Sequence, residues 1–157
     1  MTKSSILKFE RQIRAGGGGR TERQFFDALV DSKRLIDRIG WEGADLVTPL
    51  GWGTAASQVD AARQLRCEEP PSLPSGRVLL YVCPECGDIG CGAIAVRISR
   101  HGDRIIWEDF ARENGYEEPS PIASEPIEFD AKSYWHAFEG LVADERSNKS
   151  LERTRGR

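Results

Sequence analysis

Apolar positions recur along this chain at spacings that switch between two and three or four, and each switch marks a change of element. Leu7, Phe9, Arg11 and Ile13 fall on alternate positions, with Lys8, Glu10 and Gln12 between them. That spacing predicts a first strand over about residues 5–14. The run Gly16-Gly17-Gly18-Gly19 ends it. Phe25, Phe26, Leu29, Ile36 and Ile39 then recur at helical intervals. Thr21 and Gln24 form a capping-box pair ahead of them and Gly40 supplies a stop, so the pattern predicts a helix over about residues 21–39. Residues 41–53 have no clear period, and Gly51-Trp52-Gly53 reads as a loop. A second helix is expected from Ala55 to Arg66, capped by Thr54, and Pro70, Pro71 and Pro74 end it.

Three strands follow. Arg77 to Cys83 contains Val78-Leu79-Leu80-Tyr81-Val82, which is apolar on both faces and reads as a central strand. Cys91 to Arg100 alternates, with Ile94, Val96 and Ile98 on one face. Arg104 to Phe110 is joined to it through His101-Gly102-Asp103. Short connections make these an antiparallel meander. Residues 111–126 are polar and proline-rich and read as a loop, and Ile127 to Phe129 as a short strand. Asp130 then caps a last helix whose apolar face holds Tyr134, Trp135, Phe138, Leu141 and Val142. The expected architecture is α+β: an antiparallel β meander with three packed helices, in the order β-α-α-β-β-β-α.

Composition narrows the setting. A chain of 157 residues, 39% hydrophobic and 30% charged, fits a folded protein rather than a disordered one. We expect a single domain over residues 1–146 and a flexible basic tail over 147–157. No apolar run is long enough to span a bilayer, and Met1 to Lys8 lacks the apolar stretch of a signal peptide, so the expected location is cytoplasmic. Charge is uneven. Residues 1–40 carry nine basic and five acidic side chains, and residues 147–157 carry four and one. With a whole-chain charge of −3, residues 41–146 therefore carry −10. An acidic surface repels phosphate, which argues against a nucleic-acid partner, and it speeds encounter with a basic protein.

The densest chemistry is Cys83-Pro84-Glu85-Cys86-Gly87-Asp88-Ile89-Gly90-Cys91-Gly92, a C-x2-C-x4-C spacing inside a hairpin. Its C-P-x-C-G half is similar to the knuckle of zinc ribbons and rubredoxins, where Pro fixes the turn and Gly lets backbone amides face the thiolates. Three readings stay open: a structural zinc ion, reduced thiols packed in the turn, or a redox-active or disulfide pair. Zinc would need a fourth ligand, for which Cys67, His101 and His136 are the candidates. A thioredoxin-like site is disfavoured. It needs a helix after the first cysteine, and four residues between Cys86 and Cys91 leave no room for one.

The hairpin, with Trp107-Glu108-Asp109-Phe110 and Asn114-Gly115-Tyr116 after it, resembles a group of small bacterial proteins of uncharacterised function. These carry a C-P-E-C-G-D-x-G-C-G block, then W-x-D-F and N-x-Y segments. The resemblance spans about residues 77–141. Some of these proteins bear an oxidoreductase label, which implies a zinc- or thiol-dependent enzyme centred on Cys83, Cys86 and Cys91 as one function. The residues themselves assemble no hydrolytic triad and contain no phosphate-binding or metalloprotease motif. The leading expectation is therefore a non-enzymatic binding protein of the bacterial immunity type, covering the active surface of a basic toxin domain. Aromatic residues ringed by acids suit such an interface, and Trp52, Asp109, Glu113, Tyr116, Glu117 and Glu118 are the expected contact residues.

Overall fold

A computed structural model describes residues 3–41 and 44–141. Val142 and the expected tail at 147–157 lie outside the described residues. Among the described residues the fold is α+β, with two antiparallel sheets and three α-helices. The first sheet comprises β1 (Leu7–Arg14), β2 (Arg23–Val30) and the short β3 (Lys33–Arg34). A single helical turn, α1 (Leu35–Arg38), and the helix α2 (Ala55–Leu65) follow. The second sheet holds β4 (Val78–Tyr81), β5 (Ala93–His101), β6 (Arg104–Glu113), β7 (Ser120–Pro121) and β8 (Ile127–Asp130). The last helix, α3, spans Ala131–Ala137.

The order differs from the expected one chiefly in residues 21–39, which are a strand and one helical turn rather than a helix. Gly18 and Gly19 both take positive φ (61° and 84°), and Gly17 and Arg20 exchange both backbone hydrogen bonds around them. This two-residue turn folds residues 23–30 back along β1, in register from Leu7 opposite Val30 to Arg14 opposite Arg23. A second turn, at Asp31 and Ser32 with φ of 53° and 69°, leads into β3. Non-local pairing with β1 thus overrides the helical spacing of Phe25, Phe26 and Leu29. Only the end of the predicted helix survives, where Gly40 closes α1 with φ 85°.

Both other helix caps form as read. Thr54 accepts from the Ser57 N–H at 3.1 Å and Asp130 from the Ser133 N–H at 3.0 Å. The meander β4–β5–β6 is present, with Gly102 and Asp103 between β5 and β6. β4 is not central. It pairs with β5 alone, and its apolar character reflects burial beside α2 and the Val47–Val82 bridge that follows it. β6 is the hub. One edge meets β5, and the other is shared by β7 near Ala111 and β8 near Trp107.

The core joins both sheets. Trp107, Phe129, Tyr134, Phe138 and Phe9 stack with ring centroids 5.0–6.1 Å apart. Trp107 Nε1 donates to the Tyr134 hydroxyl at 3.2 Å, and that hydroxyl donates to the Leu65 carbonyl at the end of α2. Tyr81 of β4 donates to the buried Asp27 of β2 at 2.9 Å, and Arg34 pairs with the same carboxylate at 2.8 Å. The predicted apolar face of β1 holds at Leu7 and Phe9 but not at Ile13, which is 62% exposed, while Arg14 is buried. The far end of the first hairpin therefore turns a charged side chain inward, toward the cysteines.

Candidate metal centre

The cysteine hairpin lies between β4 and β5. The Gly87 N–H donates to the Cys83 carbonyl at 2.8 Å, and Gly87 takes φ 70°, which completes the C-P-x-C-G knuckle. Asp88 then caps one 3-10 turn, Ile89–Cys91. The turn brings Cys91 back over the knuckle. The Sγ atoms of Cys83, Cys86 and Cys91 lie within 4.8 Å of one another, and those of Cys86 and Cys91 are 3.2 Å apart. Tetrahedral zinc with Zn–S bonds of about 2.3 Å places its sulfurs roughly 3.8 Å apart, inside this range. Three cysteines are therefore close enough to hold one metal ion.

The backbone supports charged sulfur. The Asp88 N–H donates to Cys86 Sγ at 3.4 Å. Burial opposes ionisation of Cys83, but the N–H groups of Cys86 and Glu85 and the neighbouring thiols outweigh it and hold this thiol below its ordinary value. Cys91 is pushed up to about 11 by hydrogen bonding to Cys86 and Cys83. Cys83 and Cys91 are thus shifted in opposite directions. A 2+ ion would favour thiolate at all three.

Cys67 is not part of this group. It follows α2 with φ 61°, in a hollow with Pro70, Pro71, Val78 and Ile98, and near Arg100. Burial raises its thiol. Cys91 precedes the first residue of β5, whereas Ile98 and Arg100 lie near its last. At about 3.3 Å per residue this puts Cys67 roughly 20 Å from the hairpin. The chain between residues 67 and 83 leads from α2 to the opposite end of the sheet and does not fold back across the knuckle. His101, at the end of β5, is near Ser99, and His136, on α3, pairs with Glu139 at 3.0 Å.

What surrounds the hairpin comes largely from the first sheet. Glu85, inside the knuckle, accepts from the Thr21 N–H at 2.9 Å, the Thr21 hydroxyl at 2.7 Å and Arg14 at 2.6 Å. These partners, Thr21 first, hold its carboxyl down at about 2. Arg14 also forms a two-pronged pair with Asp45, at 3.0 and 2.8 Å. Arg23 donates to the Pro84 carbonyl at 2.7 Å, and its guanidinium lies 4.4 Å from the Trp52 ring centre. Trp52 in turn covers Gly87, where a methyl group would come within 3.2 Å of the indole.

Sequence reasoning did not find Arg14, Thr21, Arg23 or Glu85. The usable signal is that Arg14 and Arg23 face each other across the β1–β2 hairpin, where like charges repel unless each has its own acceptors. That signal needs β2 to be recognised as a strand.

The expected contact residues divide. Trp52 is half-buried, and its Nε1 donates to the Thr48 carbonyl at 2.8 Å, so it buttresses the hairpin. Asp109 sits at a bulge in β6 with φ 57° and pairs with Arg77 at 2.9 Å and Arg97 at 3.2 Å. Glu113 is only 7% exposed and accepts from Ser75 at 2.8 Å. Both acids are thus engaged within the fold. Tyr116, Glu117 and Glu118 are exposed together on the loop after β6. The Asn114 side-chain Oδ1 accepts from the N–H groups of Tyr116 and Glu117, each at 2.9 Å, which fixes the loop. Tyr116 is 84% exposed, yet its phenol lies over Gly90, one residue before Cys91.

Among the described residues, no helix is long and apolar enough to cross a membrane. No family model, curated protein or solved structure matches this chain.

Proposed function

We propose that this is a non-catalytic protein-binding protein of the immunity type. A zinc-bound cysteine hairpin stiffens the ground on which the loop 114–118 is presented to a basic toxin domain. The observation that carries this reading is the exposed Tyr116 between an Asn114-ordered turn and the acids Glu117 and Glu118, seated on the cysteine hairpin. An aromatic anchor followed by two exposed carboxylates suits a basic partner. Zinc fits the donor set: three soft sulfur ligands at metal spacing, backed by N–H donors.

Affinity capture from the native host tests the binding role. Wild-type protein should recover one basic protein in stoichiometric amount. The triple variant Tyr116→Ala, Glu117→Lys, Glu118→Lys should lose it while keeping its circular dichroism. Recovery of no partner, or equal recovery by the variant, overturns the reading.

A second reading, a zinc- or thiol-dependent enzyme, draws support from the lowered Cys83 thiol and the 3.2 Å contact of Cys86 and Cys91. It requires turnover that is lost on chelation or on alkylation of Cys83.

A further inference from the structure

We propose that the cysteine hairpin leaves one coordination position of its metal ion open, and that an imidazole or thiolate of the bound protein fills it. This rests on the zinc reading above and adds to it the origin of the fourth ligand.

Among the described residues, the chain's own cysteine and histidine donors run out. It has four cysteines and two histidines. Three cysteines form the site, and Cys67, His101 and His136 lie elsewhere, each with its own surroundings. The residues outside the described set contain neither cysteine nor histidine. The two carboxylates carried by the hairpin are already used. Glu85 is held by Thr21 and Arg14, and Asp88 accepts from the Gly90 N–H at 3.3 Å to cap the turn. Among the described residues, the ligand atoms that converge here are three thiols and nothing else.

Structural zinc takes four ligands. Cys86 and Cys91 are exposed, so the vacant direction can be reached from outside. Soft, sulfur-rich sites prefer nitrogen or sulfur donors to carboxylates. Three thiolates also over-neutralise the ion's 2+ charge, which weakens its pull on the proton of a bound water. That disfavours a hydrolytic role for the open position and favours a ligating one. The location agrees with the binding surface: the Tyr116 phenol lies over Gly90, beside Cys91, so a protein docked on this loop meets the ion at the same time.

Cobalt(II) substitution of the full-length chain tests this, because its visible bands report the ligand set. Imidazole should shift the bands saturably, with one imidazole per ion. The shift should be unchanged in Cys67→Ser and in the double variant His101→Ala, His136→Ala. Once the captured partner is in hand, it should shift the bands without imidazole, and imidazole should compete with it. The proposal is overturned if the bound cobalt ignores imidazole. It is overturned equally if Cys67→Ser or the histidine variant alters the starting spectrum, if loading drives the protein into a dimer, or if the partner binds and leaves the bands unmoved. Failure to bind cobalt or zinc at all overturns the zinc reading itself.

Discussion

Replacing Glu85 with alanine should weaken metal binding although Glu85 is not itself a ligand. Its carboxylate takes three hydrogen bonds, from the Thr21 N–H, the Thr21 hydroxyl and Arg14, at 2.6–2.9 Å. It sits between Cys83 and Cys86, so these bonds fix the knuckle that aims both sulfurs. Loss of a partner that orients metal ligands costs about 10–100-fold in affinity. With three bonds lost and Arg14 left short of an acceptor, the upper half of that range is expected. Competition for zinc against a chromogenic chelator at neutral pH measures it, with circular dichroism to confirm folding. The support also has a pH signature. A carboxyl held at about 2 stabilises the fold above the ordinary carboxylate range. That contribution fades as pH falls from about 4.5 toward 2, so the wild type should lose its stability advantage over Glu85→Ala across this window. An affinity within threefold of wild type would refute the coupling between the first sheet and the hairpin.

Three further outcomes follow from the same geometry. Tyr134→Phe strands the Leu65 carbonyl and Trp107 Nε1 in the core, at a cost of about 2–4 kcal/mol in denaturant unfolding; a loss below 1 kcal/mol would mean that bridge is unimportant. Gly87→Ala forces a side chain into φ 70° against the Trp52 indole and should destabilise by about 1–2 kcal/mol, with faster zinc release; a neutral result in thermal unfolding would contradict the packing described. In reduced, metal-free protein at pH 8, iodoacetamide should modify Cys83 well before Cys91, whose thiol at about 11 stays protonated; peptide mapping showing equal rates would overturn that order.

The later part of the chain was more legible than the earlier part, for a physical reason. β5 and β6 are sequence neighbours joined by a two-residue turn, so period and turn chemistry agree there. Asp130 and Thr54 announce their helices by capping chemistry that needs no tertiary partner. In residues 21–39 local and global signals conflict. Phe25, Phe26 and Leu29 fit a helix locally, but Gly18-Gly19 and Asp31-Ser32 are turn pairs, and the strand between them draws its stability from β1. Asp27 deepens the ambiguity: a buried carboxylate is readable only once Arg34 and Tyr81 are known to meet it.

The site shows the same division. Spacing alone identified Cys83, Cys86 and Cys91, because a nine-residue hairpin leaves their sulfurs few places to go. Cys67 could not be placed, since its position depends on where α2 leaves the chain relative to β5. Trp52 and Glu113 are expected from the sequence as partner contacts, yet one braces the knuckle and the other is tied to Ser75. Both roles rest on contacts between residues distant in sequence.

The central claim is that the hairpin is a zinc centre on which the binding surface rests. Elemental analysis of protein purified under reducing conditions, paired with thermal unfolding before and after chelation, tests it most directly. The account predicts one zinc per chain and a marked loss of stability on its removal. Protein isolated free of metal, unfolding at the same temperature with and without chelator, would contradict it.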